Sequence, residues 1–390
     1  MNKQDMVPNL TDRLRGMILF SAFGDALGAN HETTRAIYPP PFPDRLPKQR
    51  LDSEPAKWGY WITKNESAAP VKGVPTDDTS FKLFILHPWL QQVLVGKSDL
   101  AENAFRQFIV ELKSNTPQPA WMVQPRNAQI DSWLDMYRGF ELHEEHEFFT
   151  PNVPVVFGFF LFLELAAIRD DYDPVGNYLF FRTATVLDQG YAKSATGFLA
   201  AIASQAFSAE TSKRFDHWLV SRSLKLANEL IGQNVDQDDV LTIRKIVETM
   251  SDLGERMRGK SPYEFVAAFE QSVVVSPSPP FMNEPFKNAL YDPFRMLAEI
   301  YAAAVYAEGD PNRSIRPFAF GSGDSDTVCT FFGTLLGIWF GENQLRQNEV
   351  LDADLTNVEK VLQESFDVNL YERVELFMQL RSKDRSQFVT

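Results

Sequence analysis

Three short acidic clusters, far apart in the chain, carry the residue types that could do chemistry. They are GDALGANHE at residues 24–32, TDDT at residues 76–79 and GDSDT at residues 323–327. Each cluster combines carboxylates with glycine or with hydroxyl-bearing side chains. Carboxylate and hydroxyl oxygens are the ligands that hard cations such as Mg²⁺, Mn²⁺ and Ca²⁺ prefer. Together the clusters predict a divalent-metal site that is assembled from distant parts of the chain.

Each cluster taken alone has a simpler interpretation. TDDT precedes an apolar segment, and Asp and Thr at a helix start cap free backbone N–H groups. GDSDT also precedes an apolar segment, and it lacks the Glu that an EF-hand calcium loop needs at its twelfth position. In the first cluster, Gly24 and Gly28 are typical of close helix packing, whereas Asp25 is costly to bury without a partner. Capping and packing therefore stay open as alternatives for each cluster alone.

The elements that must position these clusters are predicted to be helices. Apolar residues at spacings of three and four predict a helix over residues 10–28, capped by Asn9 or Thr11. A helix is predicted at 80–86 after TDDT, with Pro88 disturbing or ending its first part, and another at 327–340 after GDSDT. Further helices are predicted after Ser98 and near residues 154–169, 176–188, 193–209, 212–231, 237–256, 262–271, 286–307, 357–364 and 370–380. Because strands and helices do not alternate, we expect an all-α fold.

Length and charge limit the possible classes of protein. The chain has 390 residues, 44% of them hydrophobic, which is enough for one large core or two smaller ones. Its net charge is −14 at pH 7, and an acidic surface repels the phosphate backbone of nucleic acids. Nucleic acid is therefore not an expected partner.

Cysteine content and hydropathy indicate the compartment. Cys329 is the single cysteine, so an intrachain disulfide is impossible, and its apolar surroundings in the sequence predict a buried, unreactive side chain. The longest apolar stretch, residues 153–168, is too short to span a bilayer and contains Glu164. The N-terminus has no apolar signal core. We therefore expect a cytoplasmic protein without a membrane partner.

In their order and context, the three clusters resemble the signature of the ADP-ribosylglycohydrolase family, which includes the dinitrogenase-reductase-activating glycohydrolases. In that family GD-x-x-G-x-x-x-E opens the domain, a TDDT-like motif follows, and D-x-D-T lies near its end. The matching positions here are Gly24, Asp25, Gly28 and Glu32, then Thr76, Asp77, Asp78 and Thr79, then Asp324, Asp326 and Thr327.

The resemblance implies a compact multi-helix orthogonal bundle with a binuclear Mg²⁺ or Mn²⁺ centre. It implies a hydrolase that removes ADP-ribose from modified protein side chains, so that ADP-ribosylated protein or ADP-ribose is the partner. The positions of metal ligands are those of Thr76, Asp77, Asp78, Asp324, Asp326 and Thr327. The catalytic positions are those of Glu32, Asp77 and Asp326. The substrate-binding positions are those of Asp25, Gly28, Glu32, Gly323 and Ser325.

The middle of the chain departs from the family pattern. The family carries Asn-Gly-x-x-Met-Arg and a Thr-His pair there, where they help line the ADP-ribose cleft, and neither Asn-Gly nor Thr-His occurs in this sequence. An alternative therefore stays open: an ADP-ribose-binding protein, or an immunity protein that neutralises an ADP-ribosylating toxin, with weak or no hydrolase activity. We expect one domain over residues 1–390, with a long insertion at about 38–74 and extra helical elements at about 208–290 and 345–390.

Overall fold

The computed structural model describes residues 8–28, 78–79, 82–98, 163–169, 173–184, 190–210, 213–273, 293–319, 325–366 and 369–383. Every regular element in these ranges is helical, which confirms the all-α prediction. The α-helices are α1 Leu10–Gly28, α2 His87–Leu94, α3 Pro174–Ala184, α4 Tyr191–Ala206, α5 Phe215–Gly232, α6 Gln237–Met257, α7 Pro262–Val273, α8 Pro293–Tyr306, α9 Pro311–Ala319, α10 Ser325–Leu345, α11 Glu349–Phe366 and α12 Leu370–Ser382. A π-helical turn, Lys82–Leu86, leads into α2, and Glu164–Ala167 forms a 3₁₀ turn.

Most of these helices lie within a few residues of their predicted bounds. Asn9 is the cap of α1, because its side-chain oxygen accepts a hydrogen bond from the Asp12 amide at 2.9 Å. Pro88 was predicted to disturb or end the first part of the helix after TDDT, and the structure agrees: the first part, Lys82–Leu86, is a π-helical turn that ends two residues before Pro88. Pro88 itself lies in the first turn of α2, where its missing N–H is tolerated.

Two differences from the prediction have local causes. Helix α9 was not predicted, because its sequence PNRSIRPFA is short and contains Pro317 inside the helix, where proline disfavours a helix. Helix α11 begins eight residues earlier than predicted, at Glu349, since its first turns carry Glu349, Asp352 and Asp354 among the apolar positions. The predicted helix after Ser98 and the predicted insertion at 38–74 lie outside the described residues.

One hydrophobic cluster takes side chains from nearly all of the described helices. Every residue of α8 is buried, and α1 and α10 are buried on nearly all sides. A helix that is apolar all round belongs at the centre of a large core. The remaining helices pack around these three. None of the described helices is long and apolar enough to cross a membrane.

Helices α1 and α10 touch backbone to backbone along a row of glycines. A Cβ atom built on Gly24 would lie 2.0 Å from the carbonyl oxygen of Cys329, and one on Gly333 would lie 2.2 Å from that of Phe20. Further along, a Cβ on Gly337 would lie 2.2 Å from the carbonyl oxygen of Gly16. Real side chains cannot approach a backbone so closely, so these helices reach this separation only because glycine occupies the contact.

A buried arginine ties the start of α1 to its neighbours. The Arg13 guanidinium donates hydrogen bonds to the carbonyl oxygens of Pro8 at 3.1 Å, Ala206 at 2.5 Å, Ile338 at 3.1 Å and Ala209 at 2.8 Å. The side chain is 2% exposed. Burial lowers the pKa of Arg13 to about 10, and the neighbouring Asp12 carboxylate opposes that shift. Arg13 therefore stays charged at neutral pH and satisfies four carbonyl groups at once.

We expect Arg13→Met to lower the free energy of unfolding by about 3 kcal/mol or more, because it strands several buried carbonyl acceptors. Urea denaturation of the two proteins measures this difference. The matched control is Arg222→Met on the exposed face of α5, which we expect to change stability by less than about 0.5 kcal/mol. An equal, small effect of both substitutions would show that the Arg13 hydrogen bonds contribute little.

Candidate metal centre

The first and third acidic clusters meet where α1 ends and α10 begins. A Cβ atom on Gly28 would lie 2.2 Å from the carbonyl oxygen of Ser325 and 2.4 Å from the Cα of Asp326. The Ser325 hydroxyl donates a hydrogen bond to the Gly28 carbonyl oxygen at 2.8 Å. Residues separated by almost 300 positions in the chain are thus held in direct contact.

The second cluster reaches the same place through Asp25. This residue lies one helical turn before Gly28 on α1 and is fully buried. Its carboxylate oxygen Oδ2 accepts a hydrogen bond from the backbone amide of Thr79 at 2.9 Å. Asp25 therefore satisfies a backbone amide of the helical residues Asp78 and Thr79. The described residues of all three clusters thus meet at one place.

The described side chains of this site are almost completely removed from solvent. Asp25 is 0% exposed, Asp78 is 3%, and Thr79, Asp326 and Thr327 are each 4%. Carboxylates buried to this extent need hydrogen bonds, cationic partners or bound metal ions. We call Asp25, Asp78 and Asp326 the site carboxylates.

Two details support a match between these residues and a hard cation. The Asp326 carboxylate accepts a hydrogen bond from the Thr327 amide at 2.9 Å, which fixes its orientation at the first turn of α10. The Thr79 hydroxyl oxygen is buried and has no hydrogen-bond partner among the described residues. The donor set contains only carboxylate and hydroxyl oxygens, which is the ligand chemistry of Mg²⁺ and Mn²⁺. The residues present therefore fit a hard-cation site.

Only part of the predicted ligand set falls in the described ranges. Glu32, Thr76, Asp77, Gly323 and Asp324 lie outside the described residues. Among the residues that are described, no group of three or more His, Cys, Asp or Glu side chains is placed so that it could hold a metal ion. The convergence of the three clusters is thus observed, whereas the full ligand set and the substrate-binding and catalytic assignments stay predictions.

A second group of buried charges lies beside the site, and the sequence analysis missed it. Its members are Ser21, Lys82, Glu164 and Arg373, which we call the Lys82 cluster. The Lys82 ammonium donates a hydrogen bond to the Ser21 hydroxyl and lies 3.9 Å from the Glu164 carboxylate. The Arg373 guanidinium donates to Glu164 and, at 3.3 Å, to the Lys82 carbonyl oxygen. The cluster joins α1, the π-helical turn, the 3₁₀ turn and α12.

These groups are buried as deeply as the site carboxylates. Lys82 and Glu164 are each 2% exposed, and Arg373 is 1% exposed. Burial lowers the pKa of Lys82, whereas the negative charges of Glu164, Asp78 and Asp25 act in the opposite direction. The one signal in the sequence was the position of Lys82 in an apolar segment, four residues after Asp78 and so on the same helical face.

A π-helical turn, Lys82–Leu86, begins at the buried lysine of the Lys82 cluster. Short π-helical segments are uncommon and occur often beside functional sites, because the extra residue per turn redirects side chains. Here the turn separates the segment that contains Asp78 from α2.

Cys329 lies on α10 within this region but is not a nucleophile. It is 1% exposed, and its thiol contacts the Ile315 carbonyl oxygen at 3.6 Å. Burial raises the pKa of the Cys329 thiol, and the charges of Glu299, Asp326 and Asp25 raise it further. The thiol is therefore protonated at neutral pH. The prediction that Cys329 is buried is confirmed.

The described geometry is that of an all-α bundle with a buried, carboxylate-lined site between helix ends. A family model described as ADP-ribosylglycohydrolase matches residues 6–374 of the chain. The chain therefore belongs to the ADP-ribosylglycohydrolase family, whose members are hydrolases that act on ADP-ribose. A solved structure described as an ADP-ribosylglycohydrolase-related protein complex is 18% identical, with a TM-score of 0.49, over 90% of this chain and 98% of that chain. No curated protein matches the sequence.

Proposed function

We propose that this protein is a metal-dependent hydrolase that removes ADP-ribose from modified protein side chains. The observation that carries the proposal is the meeting of three distant acidic clusters at one buried site. Family membership supports the reaction class, and the oxygen-only donor set supports dependence on Mg²⁺ or Mn²⁺. The proposed substrate is an ADP-ribosylated protein, and the bond to be broken joins the anomeric carbon of the ribose to N or O of the acceptor.

Breaking this bond develops oxocarbenium character at the anomeric carbon, as in other glycoside hydrolyses. Residues that would hold two Mg²⁺ or Mn²⁺ ions are Thr76, Asp77, Asp78, Asp324, Asp326 and Thr327. When bound, such ions supply electrostatic stabilisation and orient the ribose hydroxyls and a water molecule. Glu32 is proposed as the general acid or base that transfers a proton at the scissile bond.

The protein itself holds the residues of the proposed site rigidly in place. The contact between Gly28 and Ser325 fixes the end of α1 against the first turn of α10, and the Asp25 hydrogen bond fixes the backbone at Thr79. Because these supports hold backbone atoms inside the core, we expect the carboxylates of Asp78 and Asp326 to be held in place before substrate arrives. Such preorganisation lowers the cost of reaching the transition state.

The direct test incubates the full chain with arginine-linked and with serine-linked ADP-ribosylated proteins, each with and without a chelator. We expect release of free ADP-ribose from at least one substrate, and we expect the chelator to abolish it and added Mg²⁺ or Mn²⁺ to restore it. Release that is unaffected by the chelator would contradict metal dependence. No release from either substrate would contradict the hydrolase assignment for these linkages.

The second candidate function is binding without hydrolysis. It is favoured by the absence of Asn-Gly and Thr-His, the residues with which the family helps to line its ADP-ribose cleft. Such a protein would bind ADP-ribose or neutralise an ADP-ribosylating toxin as an immunity protein. Isothermal titration with ADP-ribose separates the two candidates when it is combined with the release assay, because binding without release supports the second.

We also propose that the chain forms one domain and acts in the cytoplasm. The shared hydrophobic cluster of the described helices supports a single domain. A chain whose one cysteine is a buried free thiol is typical of a reducing compartment.

A further inference from the structure

Lys82 lies beside the proposed metal centre. It follows Asp78 by four residues in the chain, and the carboxylates of Asp78 and Asp25 act electrostatically on its ammonium group. Asp78 is a proposed metal ligand, and Lys82 is as deeply buried as Asp78. A lysine is among the costliest residues to bury, and it requires anionic or hydrogen-bonding partners.

Two parallel contacts show how this segment lies against α1. Ser21 accepts a hydrogen bond from the Lys82 ammonium, and Asp25 accepts one from the Thr79 amide at 2.9 Å. Ser21 and Asp25 are four residues apart, and therefore also lie one turn apart on a common face of α1. One turn of a helix is about 5 to 6 Å long, so the Lys82 ammonium lies about that distance along α1 from the hydrogen bond made by Asp25.

Among the described residues, the other side of Lys82 is only partly neutralised. Its carboxylate neighbour Glu164 is shared with Arg373, which donates a hydrogen bond to the same carboxylate. Within the described part of the chain, one carboxylate therefore faces two cations, and one positive charge is left in excess. Besides Glu164, the described carboxylates that attract the Lys82 ammonium electrostatically are those of Asp78 and Asp25.

We propose that Lys82 is a built-in counter-cation of the metal centre: it holds the Asp25 and Asp78 carboxylates together when no metal is bound, and it weakens the affinity of the centre for divalent cations. This inference rests on the proposed function, because it needs Asp78 to be a metal ligand. Lys82 acts through the carboxylates and is therefore a positioning residue, not a catalytic one.

Two consequences follow from the charges. Without metal, the Lys82 ammonium offsets repulsion between the Asp25 and Asp78 carboxylates, so the site folds before any cation binds. With metal, the ammonium repels the incoming ion. Even with water-like screening, a unit positive charge about 6 Å from a divalent ion weakens its binding about tenfold.

The test substitutes Lys82 and measures Mn²⁺ binding to the full chain by calorimetry and by electron paramagnetic resonance. Lys82→Met keeps the apolar stem and leaves the Glu164 carboxylate paired with Arg373. We expect Mn²⁺ to bind about tenfold more tightly than to the wild type, since the repulsion is removed. We also expect a lower melting temperature without metal and a larger rise when Mn²⁺ is added.

Glu164→Gln is expected to change the Mn²⁺ affinity in the opposite direction. This change removes the carboxylate and leaves the Lys82 and Arg373 charges uncompensated, so we expect weaker Mn²⁺ binding than in the wild type. Lys360→Met on α11 is the matched control, because its side chain is 66% exposed, and we expect its Mn²⁺ affinity to equal that of the wild type.

The outcomes separate this inference from the proposed function. If the wild type binds Mn²⁺ and releases ADP-ribose, unchanged or weaker binding by Lys82→Met overturns the inference alone. If Lys82→Met does not fold, Glu164→Gln decides: weaker binding supports the inference, and unchanged or tighter binding overturns it. A wild type that binds no Mg²⁺ or Mn²⁺ overturns both.

Discussion

Asp326→Asn is expected to abolish metal-dependent release of ADP-ribose while leaving the protein folded. The Asp326 side chain is 4% exposed at the first turn of α10, where all three acidic clusters meet. Asparagine keeps an oxygen that can accept the hydrogen bond from the Thr327 amide, but it removes the negative charge that would hold a divalent ion. Metal ions contribute several kilocalories per mole of transition-state stabilisation, so we expect kcat/KM to fall by about 10³-fold or more.

Melting temperature with and without Mn²⁺ distinguishes loss of the ion from loss of the fold. In the wild type, an ion present at 100 times its dissociation constant stabilises the folded state by about 2.7 kcal/mol. We expect this gain to disappear in Asp326→Asn, with no fall in the metal-free melting temperature, because one of several crowded negative charges is gone.

The control is Asp252→Asn, which removes the same charge from an exposed position on α6. We expect it to keep both activity and the response to Mn²⁺. If Asp326→Asn retains wild-type turnover, the site described here is not the catalytic metal centre.

Much of the fold could be predicted because its helices are long and periodic. Helix α6, for example, was predicted at 237–256 and is observed at Gln237–Met257, since its apolar residues repeat at helical spacing between charged ones. Helix α9 was missed because it is short and contains Pro317 in its interior. Local pattern therefore predicts a helix most readily where the apolar repeat is long and free of proline.

The site was predicted in part for a different reason. Asp25, Asp78 and Asp326 could be named because their clusters occur in a recognisable order. Their physical connection could not be predicted, because the hydrogen bond between Asp25 and the Thr79 amide joins residues 54 positions apart. The pairing of Glu164 with Arg373 was missed. Glu164 lies in the longest apolar stretch, but Arg373 looks like an ordinary surface charge in the sequence, and only the tertiary structure shows that both are buried together.

The glycines of α1 and α10 allow a prediction that separates stability from site geometry. Gly28→Ala and Gly337→Ala each place a methyl group about 2.2 Å from a backbone carbonyl oxygen, at opposite ends of one helix contact. Backbone atoms cannot move aside as a flexible side chain can. We therefore expect each substitution to lower the free energy of unfolding by about 3 kcal/mol, at the upper end of the usual cost of overpacking.

The two variants are expected to differ at the metal centre. Relief of the Gly28→Ala clash must move the first turn of α10, because the added methyl group meets Ser325 and the Cα of Asp326. Relief of the Gly337→Ala clash moves the helices apart near Gly16, three turns away from the site. We expect Gly28→Ala to weaken Mn²⁺ binding at least about tenfold and Gly337→Ala to keep it within about twofold under conditions where both proteins are folded.

Gly232→Ala at the end of α5 is the matched control, since a Cβ there would meet no atom within 4 Å. We expect it to be neutral or slightly stabilising, because alanine restricts the unfolded chain more than glycine does. Urea denaturation gives the stabilities, and calorimetry gives the Mn²⁺ affinities. If Gly28→Ala and Gly337→Ala weaken Mn²⁺ binding equally, the metal centre depends on the whole α1–α10 contact. If neither weakens it, then the junction of Gly28 with Ser325 does not position the site.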